Sequence, residues 1–325
     1  IRYLSLLLIF GLSYSQGGGY ALDFDGSDDY VNVSNSIIPT SGDFSVSFCA
    51  NTNTLLNSYA EVVSQGTSGE SGFYIGYTPD GNIRLADDWQ DTGLSFSADG
   101  IWHYYTLVKS SSNTKFYIDG SLVASKGSAI GNPTATQFKI GKQYTGGEYF
   151  IGKIDEISVW SIALTQSQIQ GYMHKEVASD ASGLVAYYKM SDGSGTSLAD
   201  NSSNSNTGTL TNMVTSGGSS DWVTSYAPIG DLNSSYETDV EAIWKVSGTS
   251  ASDASDGLTM TVSSALSTGN FAVFGNNNTS GTSASDIGSV GSTDRTGRIW
   301  QVDESGTVAG TITIDISDAT GNAGH

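Results

Sequence analysis

The sequence predicts an all-β protein, and three observations carry the prediction. Of 325 residues, 40 are Gly and only 4 are Pro, and Ser, Thr, Asn and Asp fill much of the remainder. This mix stabilises turns and competes with helical hydrogen bonding. Apolar and aromatic residues recur at alternate positions in short runs, the period of a half-buried strand. One stretch stands apart, because Thr165 followed by Gln168 has the spacing of a capping box that opens a short helix. The length suffices for two domains, each burying its own core.

The N-terminal stretch IRYLSLLLIFGLSYSQ sets Arg2 ahead of an apolar run from Leu4 to Leu12, followed by Ser13-Tyr14-Ser15 before Gln16. It reads as a secretory signal peptide over residues 1–16, with a buried N-terminal strand as the other reading. The apolar run is too short to span a bilayer. The expected location is therefore secreted or at the cell surface, with no transmembrane span. Ile1 in place of Met, and an end at His325 inside a Gly/Asn segment, read as a piece of a longer protein.

From Tyr20 the turns and strands alternate. In YALDFDGSDDYVNV, Leu22 and Phe24 alternate with Asp23 and Asp25, and Gly26-Ser27 turns the chain into a second strand at Tyr30 and Val31. DFSVSFCA, EVVSQG and GFYIGYTPDGNIRLAD follow, the last a hairpin about Pro79-Asp80-Gly81. Ile101 to Val108, the polar loop Ser110 to Thr114 and Phe116 to Ile118 make the strongest hairpin signal. After Gln137 to Gly141 and a glycine-rich aromatic loop, Phe150 to Trp160 reads as a buried closing strand. About a dozen strands at this spacing predict a two-sheet sandwich.

The series ALDFDGSDDYV, GIWHYYTLVKSSSNTKFYIDGSLV and FIGKIDEISVWSIALTQSQI resembles the concanavalin A-like jelly roll of the laminin G-like family, related also to pentraxins. The resemblance runs from about Tyr20 to Tyr172. It implies a domain over residues 20–178, a ligand surface at loop ends or on the concave face, and frequent calcium. Residues 179–227 are similar to a strand-and-turn element found beside such domains, expected to pack on the first sandwich. Residues 228–325 carry about five short strands and resemble a smaller β module of the sandwich type that follows laminin G-like domains in bacterial surface proteins. Its last strand alternates Ile312, Ile314 and Ile316 with Thr311, Thr313 and Asp315.

Charge limits the partners. With 33 acidic residues against 13 basic and a net charge of -20, the chain has no electrostatic affinity for nucleic acid or anionic lipid, whereas divalent cations are attracted. Simple solubility explains the same excess. Cys49 is alone, which excludes an internal disulfide and a cysteine metal cluster and leaves a buried, inert thiol.

Catalysis is disfavoured on spacing. Some enzymes share the concanavalin A-like fold and carry E-x-D-x-x-E, whereas Lys153-Ile154-Asp155-Glu156-Ile157-Ser158 lacks the flanking glutamates. Adjacent Asp155 and Glu156 on a strand point to opposite faces, so they cannot act as a pair on one sugar. Asp23 and Asp25 share a face but sit on an outer strand. Among the histidines, His103 reads as structural, His174 lies in a helix tail and His325 is terminal; no GxSxG, HExxH or phosphate loop is present.

Calcium is the better-supported chemistry, since it wants six to eight oxygens from carboxylates and turn carbonyls. If the closing strand runs beside the first, as the family implies, Asp155 comes close to the Asp25-Gly26 turn. The expected metal ligands are Asp25, Asp29 and Asp155, with Asp200, beside Asn204 and Asn206, as a second candidate. Surface carboxylates without a metal are the plainer reading. For a saccharide, Asp88 and Trp89 (within Asp87-Asp88-Trp89-Gln90-Asp91) and Tyr144 and Tyr149, with Glu148 between them, supply the aromatic and planar polar groups such recognition uses; a Trp covering the end of a sandwich is the common alternative. The expected function is a non-catalytic module of an extracellular bacterial protein that binds a glycan or a protein. The alternatives are an ancillary domain of a carbohydrate-active enzyme and a structural spacer of an adhesin.

Overall fold

Alternation in the sequence becomes two-faced strands. Val31, Val33, Phe73, Ile75, Ile83, Leu85, Phe138 and Ile140 are all buried in one apolar cluster, while Asn32, Tyr74, Arg84 and Lys139, set between them, lie on the opposite face. The protein is described here by a computed structural model covering residues 9–10, 19–70, 72–232, 234–252, 258–279, 282–283, 295–296 and 298–314. The chain divides into two units, one from Gly18 to Ala227 and one from Pro228 onward that also takes in the first 17 residues.

In the first unit the strands are β1 (Tyr20–Asp25), β2 (Tyr30–Val33), β3 (Phe44–Asn51), β4 (Ala60–Gln65), β5 (Phe73–Tyr77), β6 (Ile83–Leu85), β7 (His103–Lys109), β8 (Thr114–Ile118), β9 (Ser121–Lys126), β10 (Phe138–Ile140) and β11 (Ile151–Trp160). They are followed by helix α1 (Gln166–Tyr172), then β12 (Leu184–Tyr188), β13 (Ser197–Leu198), β14 (Gly208–Thr211) and β15 (Trp222–Thr224). One sheet has the order β9-β8-β7-β3-β11-β1-β15, with β12 also on β11; the other runs β13-β14-β2-β10-β4-β5-β6. Between them lies a core built on Phe24, Phe44, Phe48, Phe116, Phe138 and Tyr105. This is a jelly-roll sandwich of concanavalin A type.

The expected capping box is present. Thr165 accepts the Gln168 backbone N–H while the Gln168 side chain accepts from Thr165 N–H, which fixes where α1 starts. The ring of Tyr172 on this helix stacks on Trp160 at 4.8 Å, so the helix covers the outer face of the sheet at the closing strand.

Residues 179–227 are not an appendage packed on a finished sandwich. β12 joins one sheet, β13 and β14 extend the other, and β15 returns to pair with β1. Edge strands expose unpaired backbone groups, and these additions cover the edges of β1 and β2.

The closing strand carries a bulge between Asp155 and Ser158 opposite Cys49 and Ser47. Glu156 there has φ 52°, a left-handed backbone that a bulge imposes on a non-glycine residue at a cost of about 1 kcal/mol or more. The extra residue undoes the simple alternation expected of the pair, and both carboxylates end up buried.

In the second unit, β16 (Thr238–Ile243), β19 (Phe271–Asn276) and β20 (Trp300–Ser305) form one sheet in the order β20-β19-β16, and β17 (Ser250–Ser252), β18 (Leu258–Val262) and β21 (Gly310–Ile314) form another. Its core holds Ile243, Leu258, Met260, Phe274 and Trp300. Of the apolar N-terminal run, Ile9–Phe10 pair in parallel with Gln301 and Val302; the rest of the expected signal peptide lies outside the described residues, as does Ile316. Among the described residues no helix is long and apolar enough to cross a membrane.

Candidate functional site

Two groupings of polar side chains stand out, an acidic turn and one sheet face. The turn joins β1 to β2. Asp25 Oδ1 accepts the N–H groups of Ser27 at 2.8 Å and Asp28 at 3.2 Å, and Asp29 Oδ2 accepts that of Asp25 at 3.1 Å. Carboxylate oxygens of Asp25, Asp28 and Asp29 lie within 4.8 Å of one another. Burial pushes the Asp25 carboxyl up, but the backbone N–H groups of Ser27, Asp28 and Asp29 together hold it below the ordinary carboxylate range. Asp29 is pushed up to about 6 by burial and by the charges of Asp25, Asp221 and Asp28, against the single N–H it accepts. An all-oxygen set whose members repel one another suits a hard divalent cation.

Asp155 is not part of this turn. The closing strand does run antiparallel to β1, but the register pairs Ile151 with Asp25 and Ile154 with Leu22, so Asp155 lies on the order of 13 Å further along. Its oxygens are already engaged: Oδ1 accepts the Glu156 N–H at 2.9 Å and Oδ2 the Ser225 hydroxyl at 2.5 Å. Burial first, then the charge of Glu156, push it well above the ordinary range. Glu156 accepts the Tyr187 hydroxyl and is pushed up to about 8 by burial. The pair is a buried structural knot, not a site.

Asp200 is equally committed, to three backbone N–H groups. Oδ1 accepts Tyr187 and Ser202, each at 2.9 Å, and Oδ2 accepts Asn206 at 2.7 Å. Asn204 and Asn206 turn their amides to the carbonyl of Val185. This loop closes on itself without calling for an ion.

The second grouping is the outer face of the seven-stranded sheet. Register places Thr209, Asn32, Lys139, Ser64 and Tyr74 in one row across five strands. Beside it, Arg84 and Glu61 flank Gly76, where a Cβ would meet the Glu61 carboxylate at 2.1 Å. Arg84 pairs with both Glu61 and Glu148, and its guanidinium lies over the rings of Tyr59 at 4.2 Å and Tyr74 at 4.5 Å. Burial pushes the Glu61 carboxyl up against the pull of Arg84, as expected where one cation serves two carboxylates.

The loop from Lys142 to Tyr149 folds over this face. Ser64 Oγ donates to the Lys142 carbonyl at 2.6 Å, and the Tyr144 ring lies against Gly66 and Gly72, where a Cβ would come within 3.1 and 2.3 Å of it. Lys142 Nζ sits 4.5 Å from the Tyr30 ring centre and 5.0 Å from that of Tyr149. Asp87 Oδ2 accepts the Gly72 N–H at 2.8 Å, and its charge contributes to raising Tyr74 and Tyr144, where burial is the larger cause.

Of the expected ligand contacts, Tyr144 and Tyr149 are thus on this face. Asp88 and Trp89 are held elsewhere: Asp88 Oδ2 accepts the Gly131 N–H at 2.7 Å and its carbonyl accepts Lys126, while Trp89 is half-buried and packs on the core. Asp28, Tyr30, Tyr59, Glu61, Tyr74, Arg84, Lys139 and Lys142 are absent from the expected site residues. For Tyr74, Arg84 and Lys139 a local signal of outward position was available, because each stands between two buried apolar residues.

Residues 25–170 match the family model described as the concanavalin A-like lectin/glucanases superfamily, and residues 253–324 match a domain of unknown function. Comparison with curated proteins finds no match. Among solved structures, a Bacteroides ovatus protein described as carbohydrate-binding is 22% identical, over 59% of this chain and 58% of its own length, with a TM-score of 0.47. Domain 4 of an extracellular arabinanase from Geobacillus stearothermophilus, solved with arabinotriose, is 22% identical over 46% of this chain and 74% of its own, with a TM-score of 0.39. A pentraxin from Limulus polyphemus is 14% identical over 47% and 81%, with a TM-score of 0.34. The two-sheet architecture and the family model agree that residues 25–170 form a concanavalin A-like domain of the laminin G-like kind.

Proposed function

We propose that this protein is a non-catalytic saccharide-binding module and that the saccharide lies on the outer face of the seven-stranded sheet. One observation carries the reading: Lys142 joins the rings of Tyr30 and Tyr149, Arg84 joins the exposed Tyr59 to the buried Tyr74 and pairs with Glu148 of the same loop, and Tyr144 lies beside them against Gly72. Tyrosine offers a flat apolar ring for the C–H faces of a sugar and a hydroxyl for its edge. Tyr59, 43% exposed, would make first contact. Burial of Asp155 against Ser225 and of Glu156 against Tyr187 of β12 supports binding without hydrolysis, since neither carboxyl can reach a glycosidic bond.

Calcium belongs to the same proposal. Asp25, Asp28 and Asp29 would hold it and would order the turn that leads into Tyr30, while extracellular location and adhesion follow from the N-terminal run and the saccharide reading. The test is a glycan array with the intact chain, with and without a chelator. Binding that weakens on chelation supports both parts, and binding indifferent to it removes the calcium. Silence on every saccharide removes the lectin reading in favour of a spacer, and release of product from a polysaccharide overturns the non-catalytic one.

A further inference from the structure

Lysine is scarce in a chain with 13 basic residues against 33 acidic, so a surface ammonium here is expected to sit among carboxylates. Lys153 and Lys189 do: they stand against Asp23 and Glu176. Lys139 and Lys142 do not. Among the described residues neither forms an ion pair; Lys139 Nζ donates to Asn32 Oδ1 at 3.0 Å, and the two ammonium groups lie 5.2 and 4.5 Å from the centre of one ring, that of Tyr30.

Two like charges around one ring repel each other. Burial, and then the charge of Lys142, hold Lys139 below the ordinary lysine range. The repulsion is maintained by the fold, since Lys139 is fixed by its row between Asn32 and Ser64, and the Ser64 hydroxyl anchors the Lys142 carbonyl at 2.6 Å. Glu148, on the same loop, is turned to Arg84 and supplies no countercharge. A preorganised pair of cations with donors and two tyrosine rings beside it is suited to an anion.

We infer that the saccharide bound on this face carries an anionic group, a carboxylate or a sulfate ester, seated at Lys139 and Lys142 between the rings of Tyr30 and Tyr149. The inference rests on the saccharide-binding reading of the same face and names its substrate class. The overall charge of -20 opposes it only at long range, because charges beyond about 8 Å are largely screened at physiological salt.

The experiment compares ligands that differ in charge alone. Oligogalacturonides are titrated against their methyl esters by calorimetry, and carrageenan oligosaccharides against the same oligosaccharides after desulfation, so that the two arms separate carboxylate from sulfate. The acidic member of at least one pair is expected to bind about tenfold or more tightly, the equivalent of one charge-assisted contact, with the advantage shrinking as NaCl is raised. Lys142→Gln, with and without Lys139→Gln, should bring the acidic and neutral members of each pair to the same affinity. Equal affinity within both pairs for the unaltered protein, or no binding of any of the four, overturns the inference, and in either case the glycan array decides the saccharide reading separately. The comparison within each pair needs no variant, so a substitution that unfolds the chain does not blunt it.

Discussion

Ser225 donates its hydroxyl to Asp155 at 2.5 Å across 70 positions of chain, tying the last turn of the first unit to its closing strand. Both groups are buried, so removing the donor leaves a carboxyl oxygen without a partner. Ser225→Ala is expected to destabilise the unit by about 1–3 kcal/mol, read as a lower midpoint in urea unfolding. An unchanged midpoint would show that the contact contributes nothing.

Glu156 gives stability a slope with pH. Its folded value, about 8, lies above the ordinary 4.5 because burial disfavours the charge. The native state therefore holds the proton more tightly than the unfolded chain. This contribution is full below about pH 4.5 and is lost as pH rises toward 8. Glu156→Gln, which can still accept from Tyr187, should flatten the decline and gain at least about 1 kcal/mol at pH 8. An equally steep profile in the variant would assign the slope to other groups.

His103 acts in the same direction through a different cause. Burial alone would lower it, but Asp119, 2.7 Å from Nδ1, and Asp99, 3.2 Å from Nε2, raise it above 6.5. A raised histidine contributes stability that is fully present below pH 6.5 and is lost as pH climbs through the folded value. His103→Asn should cost about 1 kcal/mol at pH 5.5 and little at pH 9. NMR titration of the ring reports the raised value directly; a ring titrating below 6.5 contradicts it.

Asp29 tests the acidic turn. Because it is raised to about 6 from 3.8, its ionisation reduces stability between about pH 4 and pH 6 unless a cation offsets the charge. Millimolar calcium should raise the melting temperature at pH 7, and Asp29→Asn should abolish that rise while melting higher than the parent in chelator. Identical melting with calcium and chelator leaves the turn as solvated carboxylates.

Gly72 tests the platform. A Cβ there would fall 2.2 Å from the Tyr144 hydroxyl and 2.3 Å from its ring, so Gly72→Ala must push the ring aside. Saccharide affinity should fall about tenfold, the effect of one aromatic contact of about 1–1.5 kcal/mol, with little change in melting temperature. Full affinity in the variant would place the ligand away from Tyr144.

The sandwich was legible because alternation, turn chemistry and a capping box are local signals, and Thr165 and Gln168 behave as their spacing requires. The site was less so. Asp155 was expected beside Asp25, but adjacency of strands does not give register, and a register four residues off carries the carboxyl away from the turn. A bulge at Glu156 is likewise invisible to a period-two reading. Trp89 looked exposed among Asp88 and Gln90, yet its packing is decided by residues of other strands. The sheet face escaped because its members, from Tyr30 to Arg84 and Lys139, come from separate strands and gather only once the sheet order is known.

The strands added after α1 also define what can be cut from the rest. A fragment ending where the family model ends, at residue 170, would lose β12 to β15, baring the edges of β1 and β2 and stranding Asp155 and Glu156 without Ser225 and Tyr187. Such a piece is expected to aggregate through its raw edges. The smallest span with a chance of independent life runs from Gly18 to Ala227, so inheritance and transplantation of this module should follow those borders and not the shorter ones of the recognisable motif.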